Sequence, residues 1–337
     1  MKKIKALINS ENISAILFFS YIFALPYMVS AYKVDNFTNF MNMMVLVLSI
    51  TLIWGFTGIF SFGQAAFYGI GAYTYGVISL SSTEQNLTVL GVIGAVIVSG
   101  MVAAIIGWFI FYGHIDNVFT GLITMCITIA LQLVMAQTST LKICGVTLGG
   151  TNGLRGIPAI EVFGIKLTSY TLFYVTAVLV LLIYLFFRRM QHNRLGFTMF
   201  GVRESFVRSE LFGYNTAKIQ MVVFGAGGAL AGLAGAMFSA WSGYIVPGAM
   251  DLNASTVVVI IAAIAGRKNV TGAIIMTALY QWFNQYLAKQ GSQYSQIILG
   301  IILIAVVVFL PEGIFPSLFN KIDGLFSRKK IKEQNNS

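Results

Sequence analysis

Charge is scarce in this sequence. Only 9% of the 337 residues are Asp, Glu, Lys or Arg, against 57% hydrophobic, and the mean hydropathy is +0.82. That balance excludes a soluble globular domain and points to a polytopic membrane protein. Five prolines exclude a Pro-rich linker architecture, whereas 34 glycines suit helices packed closely through small residues. Cys126 lies in an apolar run and Cys144 in a polar loop, so no disulfide framework follows. His114 and His192 stand far apart, without Cys or carboxylate neighbours at metal-ligand spacing. No G-x-x-x-x-G-K-[ST] stretch occurs, which excludes ATP hydrolysis by the P-loop route. Neither a catalytic group nor a cofactor site is expected. The net charge of +10 belongs to membrane-flanking loops, not to a nucleic-acid surface.

Apolar runs predict an all-α bundle of ten crossings, near residues 13–32, 38–60, 64–81, 87–112, 118–137, 168–187, 219–242, 252–265, 270–288 and 295–311. Lys2, Lys3 and Lys5 precede the first run, which is expected to be a retained span because it is long for a leader and no A-x-A site follows. Gly55, Gly58 and Gly63 divide the second span from the third. Gly266-Arg267-Lys268-Asn269 divides the eighth from the ninth. Such Gly-interrupted pieces are where a membrane helix breaks or re-enters.

With the amino terminus inside, 16 of the 21 basic residues fall on inner segments and 5 on outer ones. The bias predicts that both termini are cytoplasmic. No Asp, Glu, Lys, Arg or His falls in the middle of a span, although a charge there is retained where function demands it. Proton-coupled transport is therefore disfavoured, and the energy for any transport is expected from outside the membrane. The whole chain reads as one transmembrane domain, 1–337, with a polar loop at 188–218 and a basic tail at 321–337.

The 188–218 loop carries Arg188, Arg189, Arg194, Arg203, Arg208 and Lys218 against Glu204 and Glu210. Val202, Phe206, Ser209 and Phe212 recur at helical spacing, with Arg203, Glu204 and Arg208 off that face. One amphipathic helix is predicted from Gly201 to Phe212, ended by Gly213. It either fixes topology and touches anionic lipid or docks a soluble partner. Gly225, Gly228, Gly232 and Gly235 share one side of the seventh span, and Ala65, Gly69, Ala72 and Gly76 one side of the third. Both faces predict close helix packing. Thr57, Ser61 and Gln64 offer neutral hydrogen-bonding groups beside the first interruption and are candidates for lining a translocation path. The outer loop from Leu141 to Lys166 is the longest polar external segment, a candidate docking surface.

The stretch WGFTGIFSFGQAAFYGIGAYTYG, Trp54 to Gly76, resembles the early signature of permeases of branched-chain amino acid ABC importers. RLGFTMFGVRESFVRSELFGYNTAKIQMVVFGAGGALAGLAGAMFS, Arg194 to Ser239, resembles their central signature. TLGGTNGLRGIP, Thr147 to Pro158, resembles their external loop, and ILGIILIAVVVFLPEGIF, Ile298 to Phe315, their last span. Loop order favours the LivM-type subunit over its LivH-type partner. The resemblance implies a second permease subunit, two cytoplasmic ATP-binding subunits, an external solute-binding protein and a hydrophobic amino acid as substrate. It also implies that Arg203, Glu204, Ser205, Phe206, Glu210 and Gly213 belong to a coupling helix for the ATPase. Two departures bear on substrate. Ala265 to Asn269 keeps one glycine of a usual Gly-Gly-x-Gly-[ST] pattern, and Gln132 stands where an acidic residue is common. GGTNG at Gly149 to Gly153 also resembles permeases of urea importers, which makes urea or a short amide the alternative. A secondary transporter and a non-transporting scaffold are the rivals from other classes.

Overall fold

The computed structural model describes residues 10–81, 87–162, 165–167, 169–289, 300–301 and 313–319. It is a helical bundle with small strands at one end. The helices are α1 (Ser10–Met28), α2 (Ala31–Ile50), α3 (Gln64–Ser81), α4 (Thr88–Tyr112), α5 (Asn117–Gln137), α6 (Ser169–Gln191), α7 (Arg194–Glu204), α8 (Phe206–Leu211), α9 (Thr216–Ser242), α10 (Leu252–Ala265) and α11 (Val270–Lys289). A π-helical turn, Thr51–Thr57, extends α2. Six of these helices are long and apolar enough to cross a membrane: α1, α2 with its extension, α4, α5, α6 and α9. α3, α10 and α11 match three further expected spans but are shorter or more polar, and α10 has only 14 residues. The tenth expected span, near 295–311, and the tail at 321–337 lie almost wholly outside the described residues.

α9 is the axis, packed between α4 and α3. Gly225, Gly228 and Gly232 face Gly100, Ala103, Ala104 and Ser99 of α4, where an added methyl group at Gly232 would collide with Ser99. Gly235 lies on the backbone of Tyr68 in α3, and Gly71 of α3 lies on the backbone of Gly232. Two glycines of the expected α3 face have neighbours outside the long helices. Gly69 receives the side chain of Met250, and Gly76 takes Leu154 and Ile157 from the loop after α5. Small residues let the backbones approach where lipid provides no hydrophobic drive between helices.

The two ends of the bundle differ. One carries α7 and α8, the starts of α1 and α9, and the ends of α4, α6 and α10; we call it the basic face. There Glu11 pairs with Arg188 at 2.8 Å and accepts from Thr271 Oγ1, tying α1, α6 and α11 together. At the far face, the loop after α5 folds into β1 (Lys142–Ile143) and β2 (Val146–Thr147), β3 (Leu154–Arg155), and β4 (Glu161–Val162) with β5 (Ile165–Lys166). β3 pairs antiparallel with β6 (Tyr244–Ile245), which follows α9, in the register Leu154 to Ile245. Leu148, Leu154, Ile157 and Ile160 of this loop are buried against α3 and α9.

Candidate functional site

Helical hydrogen bonding stops inside the bundle between α2 and α3. The π turn ends at Gly58, whose φ of 78° favours glycine. Residues 58–63 then run without helix until α3 begins at Gln64. A non-helical stretch at membrane depth is tolerable only where protein satisfies its polar groups. Here neighbouring hydroxyls do so. Thr124 Oγ1 of α5 accepts from Phe62 N at 3.1 Å, and Thr128 Oγ1 donates to Phe62 O at 3.0 Å. Ser255 Oγ of α10 donates to Phe62 O at 2.5 Å and accepts from Ala65 N at 3.3 Å. The loop is thus clamped between α5 and α10. No sequence expectation named Thr124, Thr128 or Ser255. The signal was present in α5, where Thr120, Thr124 and Thr128 repeat every four residues along an otherwise apolar helix.

The three candidate path residues are buried in this break. Thr57 Oγ1 donates back to Ile53 O at 2.7 Å, and Ser61 Oγ accepts from Gly63 N at 3.0 Å. Gln64 is 1% exposed; its Oε1 accepts from Ser49 Oγ at 2.8 Å, and its Nε2 has no partner among the described residues. A cavity of about 320 Å³ lies beside the loop, lined by Phe60, Phe62, Asn117 and Gly121, and none of the three candidates lines it. In this conformation they hold the break together.

The second interruption lies between α10 and α11. Gly266 leaves the helix at φ 94°, and Asn269 starts α11 by accepting from Gly272 N at 2.8 Å. The two breaks meet at the basic face. A side chain at Gly55 would strike the carbonyl of Arg267, and the Arg267 guanidinium sits 5.8 Å from the centre of the Trp54 ring.

Arg203 joins α7 to this junction. Its Nη1 donates to Gly55 O at 2.7 Å, and its Cγ lies 2.9 Å from where a Cβ on Gly58 would stand. The Arg203 side chain is only 10% exposed, while its ion-pair partner Glu204, at 3.7 Å, is 69% exposed. Glu204 also lies 3.8 Å from Lys268 at the second break. Burial lowers the pKa of Arg203, and nearby Arg267 adds to the effect while Glu204 opposes it. Arginine stays protonated, so the guanidinium remains a donor to the carbonyl.

The predicted single helix over 201–212 is corrected to two. Ser205 is extended at φ −160° and ψ 105°, and its hydroxyl accepts from Arg208 N at 3.3 Å to start α8. Serine competes with the helical backbone for hydrogen bonds, which favours it at a cap over a helix interior. The expected apolar face is corrected too. Val202 and Ser209 are buried, and Phe206 is half-buried edge-on to His114. Phe212, by contrast, is 82% exposed, as is Leu211. Glu210 faces its own chain, accepting from Thr216 Oγ1 at 2.7 Å, and Gly213 closes the turn at φ 84°. Arg194, Phe197, Glu204, Arg208 and Phe212 border an open cleft of about 480 Å³ between the two helices.

Spanning helices, one interruption clamped inside the bundle, a second at the basic face and a helical loop tied to both fit a membrane transport protein of the permease class. The family model for the branched-chain amino acid transport system permease component matches residues 34–307, and the chain belongs to that family. It is a transmembrane permease subunit of an ABC importer. Among curated proteins it is similar to the high-affinity branched-chain amino acid transport system permease protein LivM of Salmonella typhimurium. The two are 23% identical over 319 residues, covering 87% of this chain and 72% of the relative. The LivM protein of Escherichia coli is similar to the same extent. No solved structure matches the chain.

Proposed function

We propose that this chain moves branched-chain or related hydrophobic amino acids across the inner membrane, driven by ATP hydrolysis on two separate cytoplasmic subunits. A second, LivH-like permease subunit and an external solute-binding protein complete the assembly. The 16 to 5 distribution of basic residues supports placing the basic face and both termini in the cytoplasm. The observation that carries the reading is the α7–α8 pair, which exposes Leu211 and Phe212 beside charged Arg194, Arg208 and Glu204 while Arg203 reaches the broken helix behind it. Apolar side chains held in water on a charged loop suit a partner groove.

On this reading the ATPase meets α7–α8, and its movement reaches Gly55 through Arg203 and Lys268 through Glu204. Thr57, Ser61 and Gln64 then border the path when the break between α2 and α3 rearranges. The far-face loop, folded onto α3 and α9, offers the solute-binding protein a set surface.

The chain, co-expressed and purified with candidate ATP-binding and second permease subunits from its own genome, tests this in proteoliposomes. Cysteine introduced at Ser205 should react from the ATPase side and at Gly150 from the other. Arg203→Gln should keep ATPase recruitment while lowering solute-stimulated hydrolysis at least tenfold. Labelling at 205 from the side opposite the ATPase would refute the orientation, and unaltered coupling in Arg203→Gln would refute the link.

A further inference from the structure

A cleft of about 490 Å³ lies between α1, α2 and α11, remote from both breaks. Its walls change character along its length. α1 and α11 run toward the far face and α2 runs back from it, so the lining residues can be ordered by depth. Deep in the bundle the cleft is bounded by Phe18, Phe40 and Ile275; at the far face it is bounded by Lys33, Asn36, Gln285 and Lys289. Along α11 the stretch from Ile275 to Lys289 is roughly 21 Å at 1.5 Å per residue. That equals about half of a 40–45 Å bilayer with its headgroups, the depth of one leaflet. The cleft is open to the side, with Tyr21, Tyr32 and Trp282 all more than half exposed along it.

The polar end carries charge of one sign. Lys33 and Lys289 are exposed, and the ion pairs among the described residues involve neither. Gln285 Nε2 donates to Asn36 Oδ1 at 3.3 Å, bridging α2 and α11 between the lysines and the apolar floor. The nearest acidic residue along α2, Asp35, is outside the lining and accepts from Trp241 Nε1 at 3.0 Å. A slot one leaflet deep, apolar below and doubly cationic at the headgroup level, matches a lipid bearing net negative charge. A zwitterionic headgroup would bring its own ammonium beside two lysines.

We propose that this cleft is a specific site for an anionic phospholipid, its phosphate held by Lys33 and Lys289 and one acyl chain lying beside Phe37 and Leu279. The site is independent of the ATPase reading, because it lies on the opposite half of the bundle and shares no residue with the α7–α8 loop.

Trp282 lines the cleft and reports its occupant. The full chain, with Trp54, Trp108 and Trp241 replaced by Phe, is placed in phosphatidylcholine vesicles containing brominated phosphatidylglycerol or brominated phosphatidylcholine. Each lysine near an anionic headgroup is worth about fivefold in lipid preference. Brominated phosphatidylglycerol should quench Trp282 at a mole fraction about 25-fold lower than brominated phosphatidylcholine, fivefold for each of the two lysines. Lys33→Gln and Lys289→Gln should each lose about fivefold of that preference, and the pair should abolish it. A chain keeping only Trp108, exposed on α4, should show no preference. Equal quenching of Trp282 by both lipids overturns the proposal. So does a preference that Trp108 shares or that survives the double substitution, and so does an unquenched Trp282, which means that protein fills the cleft. If the tryptophan variants fail to insert, native mass spectrometry of the chain with its own tryptophans decides instead. Retained phosphatidylglycerol that is lost on Lys33→Gln with Lys289→Gln supports the site; equal retention in both overturns it.

Discussion

The polar loops at the two ends of the bundle treat their apolar residues in opposite ways. At the far face, Leu148, Leu154, Ile157 and Ile160 turn inward, and strand pairing of Leu154 with Ile245 fastens the loop to the segment after α9. At the basic face, Leu195, Phe197, Val207, Leu211 and Phe212 point away from the bundle. One loop finishes the fold of its own chain. The other leaves these apolar side chains uncovered beside Arg194, Glu204 and Arg208.

That contrast is easiest to break by truncating one residue on each side. Leu154→Ala removes a buried side chain that fills the space at Gly76, and should destabilise the protein by about 2–5 kcal/mol. Thermal unfolding followed by size-exclusion chromatography in detergent measures it. An unchanged midpoint would mean that the far-face loop is not part of the core. Truncating Leu211 and Phe212 together should leave that midpoint in place, since both are 82% exposed. ATPase recruitment should instead weaken by about 2 kcal/mol or more, the usual loss for an apolar anchor at an interface. If the double variant binds the ATP-binding subunits normally, the exposed surface is a lipid contact and not a docking site. Phe206→Ala should fall between the two, because its ring is half-buried against His114. The smallest effect is expected for Glu210→Gln, which alters an exposed carboxylate bonded to Thr216 and should shift stability and recruitment by only about 0–1 kcal/mol. A large loss there would show that Glu210 meets a cation on the partner.

The spans were legible because a run of apolar residues has few other uses: nine of the ten expected spans coincide with helices, eight of them to within a few residues and the second beginning seven residues earlier, at Ala31. Both interruptions were legible from their glycines. The orientation of individual side chains in the basic loop was not. Helical spacing grouped Phe212 with Val202, but a serine cap at 205 resets the phase between them. Arg203 looked like an outward charge until the carbonyl freed at Gly55 gave it an inward partner. The hydroxyl clamp was hidden for a different reason. Thr and Ser in an apolar helix commonly bond back to their own turn, as Thr124 does to Thr120 O at 2.9 Å, so their second role needs the neighbouring loop in place. The residues holding the break come from positions 124, 128 and 255, and nothing local relates them to Phe62.

The clamp around Phe62 is made entirely of neutral groups: two threonines, one serine and the peptide backbone. A full charge displaced across a membrane potential of 100 mV exchanges about 2.3 kcal/mol with the field. A segment without one exchanges almost nothing, however far it shifts. A displacement of these clamp residues by themselves therefore carries no full charge through the field.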